Sequence, residues 1–329
     1  MSSQHPFAPF VRILGRGRHA SRSLTQAEAY DAMSMILQDD VEPVQLGAFL
    51  MLIRAREETP EEVAGFVRAV QDSIEVPPQA AAADLDWSSY AGKKRQLPWF
   101  ILSTLLLAAN GTRVFMHGTS GHTAGRIYTR ETLAALGIPS ADTFSTACKQ
   151  LNDTHFTYLD LEHLSPRLHQ LIELRPLLGL RTPIHTVARM LNPLRAPHVM
   201  QGIFHPGYLN IHQEAGRLLQ LPHLAVIKGD GGEIERNPDI SCRLHTVHES
   251  HASEEELPAL FSKRHVKPDT LDVKQLLNVW RGTAEDEYGT GAVTGTLAIA
   301  LRLMDTSISD KEALEKARTL WDERDKQLL

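Results

Sequence analysis

The 329-residue chain is 42% hydrophobic and 22% charged, which excludes a disordered protein and leaves room for one large domain or two sharing a cleft. A formal net charge of −6 excludes a globally basic polymer binder but not a local basic groove, because a phosphate responds to the potential within a Debye length. The two distant cysteines, Cys148 and Cys242, fit no metal spacing and suit a reducing cytosol.

The opening MSSQHPFAPF has no basic segment followed by an apolar core, so no signal peptide is read. The longest nearly apolar run, Trp99 to Ala109, is too short to span a bilayer, and the expectation is a cytoplasmic protein without a membrane partner. The first 75 or so residues read as helices. Thr25-x-x-Glu28 has the form of a capping box, and Ala29, Met33, Ile36 and Leu37 follow on one side. "VQLGAFLMLIRAR" is apolar nearly all round and is expected to be buried. Thr59-Pro60-Glu61-Glu62 is a stronger helix start, with Val63, Phe66, Val67, Val70 and Ile74 as a buried stripe behind it. Val76-Pro77-Pro78 ends the pattern, and the alanine-rich stretch after it reads as a linker.

From Asp84 onward, strand-like pieces alternate with helices. "TRVFMHG" and "LAVIKGDGG" are short apolar runs ending in glycine, as strands feeding ligand-facing loops do in α/β sheets. "TRETLAALG" and "QEAGRLLQL" read as helices, "GTGAVTGTLAIALRLM" as a buried helix, and Ser309-x-x-Glu312 as the cap of a final amphipathic one. The predicted fold class is α/β: a helical N-terminal domain over 1–76 and a larger α/β domain over 84–329.

Charge is segregated. Acid gathers at Asp39-Asp40, Glu57-Glu58, Glu61-Glu62 and Glu254 to Glu256; base gathers at Arg16, Arg18 and Arg22, at Lys93 to Arg95, and at Lys263, Arg264 and Lys267. "HGTSGHTAGR", residues 117–126, is either an anion nest backed by a helix N-terminus or an ordinary turn. Asp230, Glu233 and Glu235 in "KGDGGEIERNPD" are either a magnesium–phosphate holder or a solvated acidic turn. His245, His248 and His251 lie three apart, a spacing that scatters them around a strand or a helix and reads as surface histidine rather than zinc ligands. Hydrolase, metalloprotease, Walker and dinucleotide fingerprints do not occur. The cations of "DWSSYAGKKRQLPWF" stand beside Trp87, Tyr90, Trp99 and Phe100 in a chain with only 6% aromatics. They form either a solvated turn or a track for phosphates with bases stacked beside it.

In order along the chain, "VQLGAFLMLIRAREETPEEVAGFVRAV", "MHG" with its polar loop, "LAALGIP" and "ELRPLLGLRTPIHTVARMLNPL" resemble the segments of anthranilate phosphoribosyltransferase and its nucleoside-phosphorylase relatives. The resemblance covers nearly the whole chain. It implies a helical domain completed near 174–196, an α/β domain, a homodimer formed through the helical domains, and a substrate-cleft arginine at Arg175. The departures are as informative. Where the enzymes carry a Gly-Thr-Gly-Gly-Asp-Gly loop for the diphosphate and then Asn-Ile-Ser-Thr, this chain has "YAGKKRQL" and "PWFI", with the serine position near Phe100. The Asp-Glu metal pair becomes Glu233-Ile234, and the Asn-Arg after His-Gly becomes Thr119-Ser120.

With the donor machinery so altered, the chain is similar to the YbiB-type subgroup, DNA-binding homologues without transferase activity. That implies sequence-independent binding of DNA or RNA, single strands preferred, along basic grooves of a dimer. The expected phosphate contacts are Lys93, Lys94, Arg95, Lys263, Arg264 and Lys267, then Arg126, Arg130, Lys228 and Arg236, with Trp87 and Tyr90 stacking bases. His117, Gly118, Arg175, Asp230 and Glu233 are expected to line a vestigial substrate cleft, with no catalytic residue, metal or cofactor. The alternative is a glycosyl- or phosphoribosyltransferase with an altered donor–magnesium site.

Overall fold

The structure is a computed structural model that describes residues 4–17, 19–121 and 123–329; Arg18 of the first basic group and His122 of the 117–126 loop lie outside it. Helices Ala8–Gly15, Gln26–Leu37, Pro43–Arg56 and Pro60–Ser73 come first. Thr25 and Thr59 each close a reciprocal capping box with the glutamate three residues on, which satisfies amide groups that a helix start otherwise leaves without acceptors. The stripe Val63, Phe66, Val67 and Val70 is buried and shares one hydrophobic cluster with Ala29, Met33 and Ile36.

Helix Pro43–Arg56 departs from expectation. Only Phe49, Leu50 and Ile53 are buried within the chain, and Val44 is 79% exposed. A helix apolar all round cannot hide more than one side against a layer of three others, so the rest of its surface stays open.

The α/β domain is built on a seven-stranded sheet: β1 Leu85–Ser89, β2 Val114–Gly118, β3 Phe156–Asp160, β4 His198–Ile203, β5 His223–Lys228, β6 Cys242–His248 and β7 His251–Leu257. Their order is β3-β2-β1-β4-β5-β6-β7. The first five are parallel; β6 pairs antiparallel with β5, and β7 antiparallel with β6. The chain leaves β1 toward β2 and β3, then returns to its other side with β4, so β1 and β4 flank a topological switch point. In such sheets ligands sit beyond the strands' carboxyl ends at that point.

Helices Phe100–Ala109 and Glu287–Met304 cover one face of the sheet, joined by a hydrogen bond from Ser103 Oγ to the Val293 carbonyl at 3.0 Å. Helix Ile184–Arg189 belongs to the opposite cluster, with the N-terminal helices: Thr186 Oγ1 donates to Glu58 Oε1 at 2.8 Å, and Gln71 Nε2 donates to the Asn192 carbonyl at 3.2 Å. A small helical N-terminal domain thus stands beside a larger α/β domain, as the sequence predicts. β3 and β7 are the edge strands, and Glu254 and Glu256 of β7 are exposed. Among the described residues no helix is long and apolar enough to cross a membrane.

Candidate functional site

At the switch point the loop after β1 turns through Gly92, at φ +67°, and the amides of Ala91 and Gly92 point toward one spot. That geometry is an anion nest. Glu233, from the loop after β5, fills it. Its Oε1 accepts from Ala91 N at 2.6 Å and Gly92 N at 2.5 Å, and its Oε2 accepts from Ser89 Oγ at 2.9 Å. The β5 loop folds tightly enough to deliver Glu233 because Gly229 lacks a side chain: a Cβ there would lie 1.6 Å from the Glu233 carbonyl oxygen. The protein's own carboxylate sits where an anion would otherwise bind.

Lys93 continues the loop. Its backbone pairs with Ile127 in an isolated antiparallel bridge, and its side chain, 1% exposed, turns inward to donate to Asp230 Oδ2 and to Glu235 Oε1 at 2.5 Å. Glu235 Oε2 accepts from Phe100 N at 2.9 Å, tying the ion cluster to a helix N-terminus. Burial pushes the Glu235 carboxyl up to about 7, against the pull of Lys93. Burial opposes charge on Asp230 and Lys93 too, yet their attraction outweighs it, leaving Asp230 below and Lys93 above its ordinary pKa.

A magnesium ion would need carboxylate lone pairs converging on one point. Lys93 Nζ occupies the point between Asp230 and Glu235, and Glu233 faces amides and a hydroxyl. These residues do not fit a metal in this arrangement.

Beyond the loop opens a cavity of about 410 Å³, onto which Lys94, Arg95, Arg126, Lys228, Arg264 and Lys267 converge. Of its two carboxylates, Asp230 is paired with Lys93, while Asp239 accepts from His265 N at 2.9 Å and pairs with His265 Nδ1 at 2.7 Å. His265 Nε2 also lies 3.1 Å from Glu287 Oε2, and these contacts raise its pKa, the Asp239 hydrogen bond foremost. They pin the segment carrying Arg264 and Lys267 to the domain. Arg126 donates to the carbonyls of Ala91, Gly92 and Gly231 at 2.9, 2.8 and 3.3 Å, locking the two loops together.

A family model described as "Glycosyl transferase family, helical bundle domain" matches residues 9–74. An uncharacterized protein of Aquifex aeolicus is 31% identical over 222 residues, 66% of each chain. The anthranilate phosphoribosyltransferase of Ignicoccus hospitalis is 29% identical over 228 residues, covering 68% of this chain and 66% of its own. The matched part thus spans just under two thirds of either relative. The crystal structure of anthranilate phosphoribosyltransferase from Thermus thermophilus superposes with a TM-score of 0.78, at 20% identity, over 97% of this chain and 94% of that one. The fold is that of anthranilate phosphoribosyltransferase.

Within this fold, several residues lie where the sequence reading does not put them. Lys93 is buried among carboxylates and offers no charge to a polymer at the surface. Trp87 is buried on β1, stacked on Phe100 with centroids 6.4 Å apart, because β1 is an interior strand, paired with β2 and β4, and both its faces are covered. Tyr90 is buried as well, and its hydroxyl lies 2.7 Å from His117 Nδ1, while His117 Nε2 lies 3.2 Å from Asp86 Oδ1. A histidine protonated on Nε2 satisfies both contacts. Neither Trp87 nor Tyr90 can stack a base. Arg236 is fully buried against Gly295 and donates to the Pro258 carbonyl at 2.8 Å.

Arg130 lies off the cavity, bound to Glu162 at 2.8 Å, and the exposed Lys263 does not line it. Gly118 is dictated by packing, since a Cβ there would lie 2.1 Å from the Ser89 carbonyl oxygen. Arg175 meets Thr123 Oγ1 at 2.6 Å, and Arg181 reaches the same oxygen at 3.4 Å. Arg181 was passed over in the sequence although it stands within "LGLRT"; burial, then Arg189, Arg175 and Arg126, lower its pKa to about 10. Phe204, half exposed on the cavity's lip, was also missed.

Proposed function

We propose that the chain binds nucleic acid through its phosphates, without reading sequence, and does not transfer a phosphoribosyl group. The observation that carries this reading is the cavity: six basic side chains face it, and both of its carboxylates are already paired inside the protein. Such a surface attracts closely spaced phosphates by displacing their counterions. The nest filled by Glu233 and the ion cluster around Lys93 support the second half of the proposal, because a diphosphate–metal donor would have to displace both. A homodimer in the manner of the family, formed through the open face of helix Pro43–Arg56, would set two such cavities side by side. Light scattering should then give roughly twice the 36.6 kDa chain mass.

The test is fluorescence anisotropy with labelled 15-nucleotide single strands of unrelated sequence across a salt series. Equal affinities and a steep log–log salt slope are expected. Binding of a mononucleotide as tight as that of the strand would point instead to a small-ligand site. The second reading, a transferase, is favoured by the name of the Ignicoccus relative and by the retained Arg175. It predicts that phosphoribosyl pyrophosphate with Mg²⁺ raises the melting temperature saturably; we expect no shift.

A further inference from the structure

Both aromatics that the sequence offered for stacking are in the core, so the expected preference for single strands needs another platform. Among the described residues, seven large hydrophobic side chains are exposed, and Phe204 is the one aromatic among them, at 51%. It directly follows β4 at the switch point and lines the cavity shared with Lys94, Lys228 and Arg264.

Its seat is firm. Gly232 packs beneath it, so closely that a Cβ there would lie 3.2 Å from Phe204 Cβ, and the His205 ring stands nearly perpendicular at 4.8 Å between centroids. A large apolar ring left half in water on a cationic lip costs hydration free energy unless something flat covers it.

We infer that Phe204 is a base-stacking subsite, taking an unpaired nucleobase while the neighbouring cations hold the phosphates on either side. The inference rests on the nucleic-acid reading of the cavity. It assigns the strand preference to a single ring, because a base within a duplex has no free face to offer.

The experiment compares Phe204→Ala, Phe204→Leu and Phe204→Trp with the parent protein on three probes: an oligothymidine strand, an abasic strand of equal length, and a duplex. Phe204→Ala and Phe204→Leu should weaken oligothymidine binding by roughly five- to 150-fold, the range for one stacked base. Abasic and duplex affinities should stay within about twofold and the salt slope should not change. Phe204→Trp should restore oligothymidine binding. A parent protein that binds with a steep salt slope while Phe204→Ala binds oligothymidine equally well would overturn the subsite and spare the cavity reading. Equal losses on the abasic strand would also overturn it, and a parent that binds none of the probes would remove both ideas.

Discussion

Replacing Lys93 by methionine separates a structural cation from a binding one. The substitution keeps most of the buried volume but leaves Asp230 and Glu235 facing each other without a counter-charge. Breaking a buried pair from one side costs about 3–5 kcal/mol. With an unfolding entropy of roughly 2.1 cal/mol/K per residue, a 329-residue chain should lose about 4–7 °C in melting temperature. The loss should grow with pH. Glu235, already pushed up to about 7 from its ordinary 4.5, rises further without Lys93 and sits neutral in the variant at low pH. A carboxyl raised on folding stabilises most below its unfolded pKa and loses that contribution as pH climbs through its folded one. Thermal melts followed by circular dichroism at pH 6 and pH 8 measure the difference, and anisotropy on the same samples should give an unchanged salt slope. A variant that melts within about 1 °C of the parent, yet shows a slope flatter by about 0.7, would mean that Lys93 swings out to a phosphate and that the buried cluster is not as described.

Alanine at both Lys94 and Arg95, which are exposed on the cavity, should leave melting unchanged and flatten the single-strand salt slope by about 1.4, two contacts at about 0.7 each. Glu233→Ala should strip the Ala91 and Gly92 amides of their acceptor, costing about 1–3 kcal/mol, and open the nest, so that pyrophosphate stabilises the variant but not the parent in a thermal-shift assay. His265, with its pKa raised above 6.5, holds Asp239 and Glu287 most strongly below that value and lets go as pH rises past its folded pKa. Hydrogen exchange over residues 260–268 should therefore show, after correction for intrinsic rates, less protection at pH 8.5 than at pH 6. The same pH dependence in His265→Gln would rule out this histidine as its source.

Local signals in the sequence carried most of the fold. Each capping box named from it closes in the structure, at Thr25, Thr59 and Ser309, because caps involve residues three apart. The glycine-ended strands β2 and β5 were legible for the same reason. The site was legible only in its composition. That basic residues would gather could be read, but the side chain direction at Lys93 depends on Ile127, Asp230 and Glu235, far along the chain. Trp87 misled because nothing near it in sequence says that its strand lies inside the sheet, between β2 and β4. Phe204 gave one usable hint, an aromatic between a strand and a Pro-Gly turn.

The antiparallel end of the sheet has a consequence for how the molecule meets its own copies. β7 leaves one side of its backbone unpaired at the border, where a passing strand could dock and extend the sheet. Glu254 and Glu256 are exposed on one face of that border while Glu255, on the other, pairs with Arg302, so a copy docking in register would set carboxylate beside carboxylate. These acids act as gatekeepers of an otherwise open edge. Glutamine at all three positions should lift that barrier, and fibrous or amorphous association should begin at this border while the distant helices are still folded.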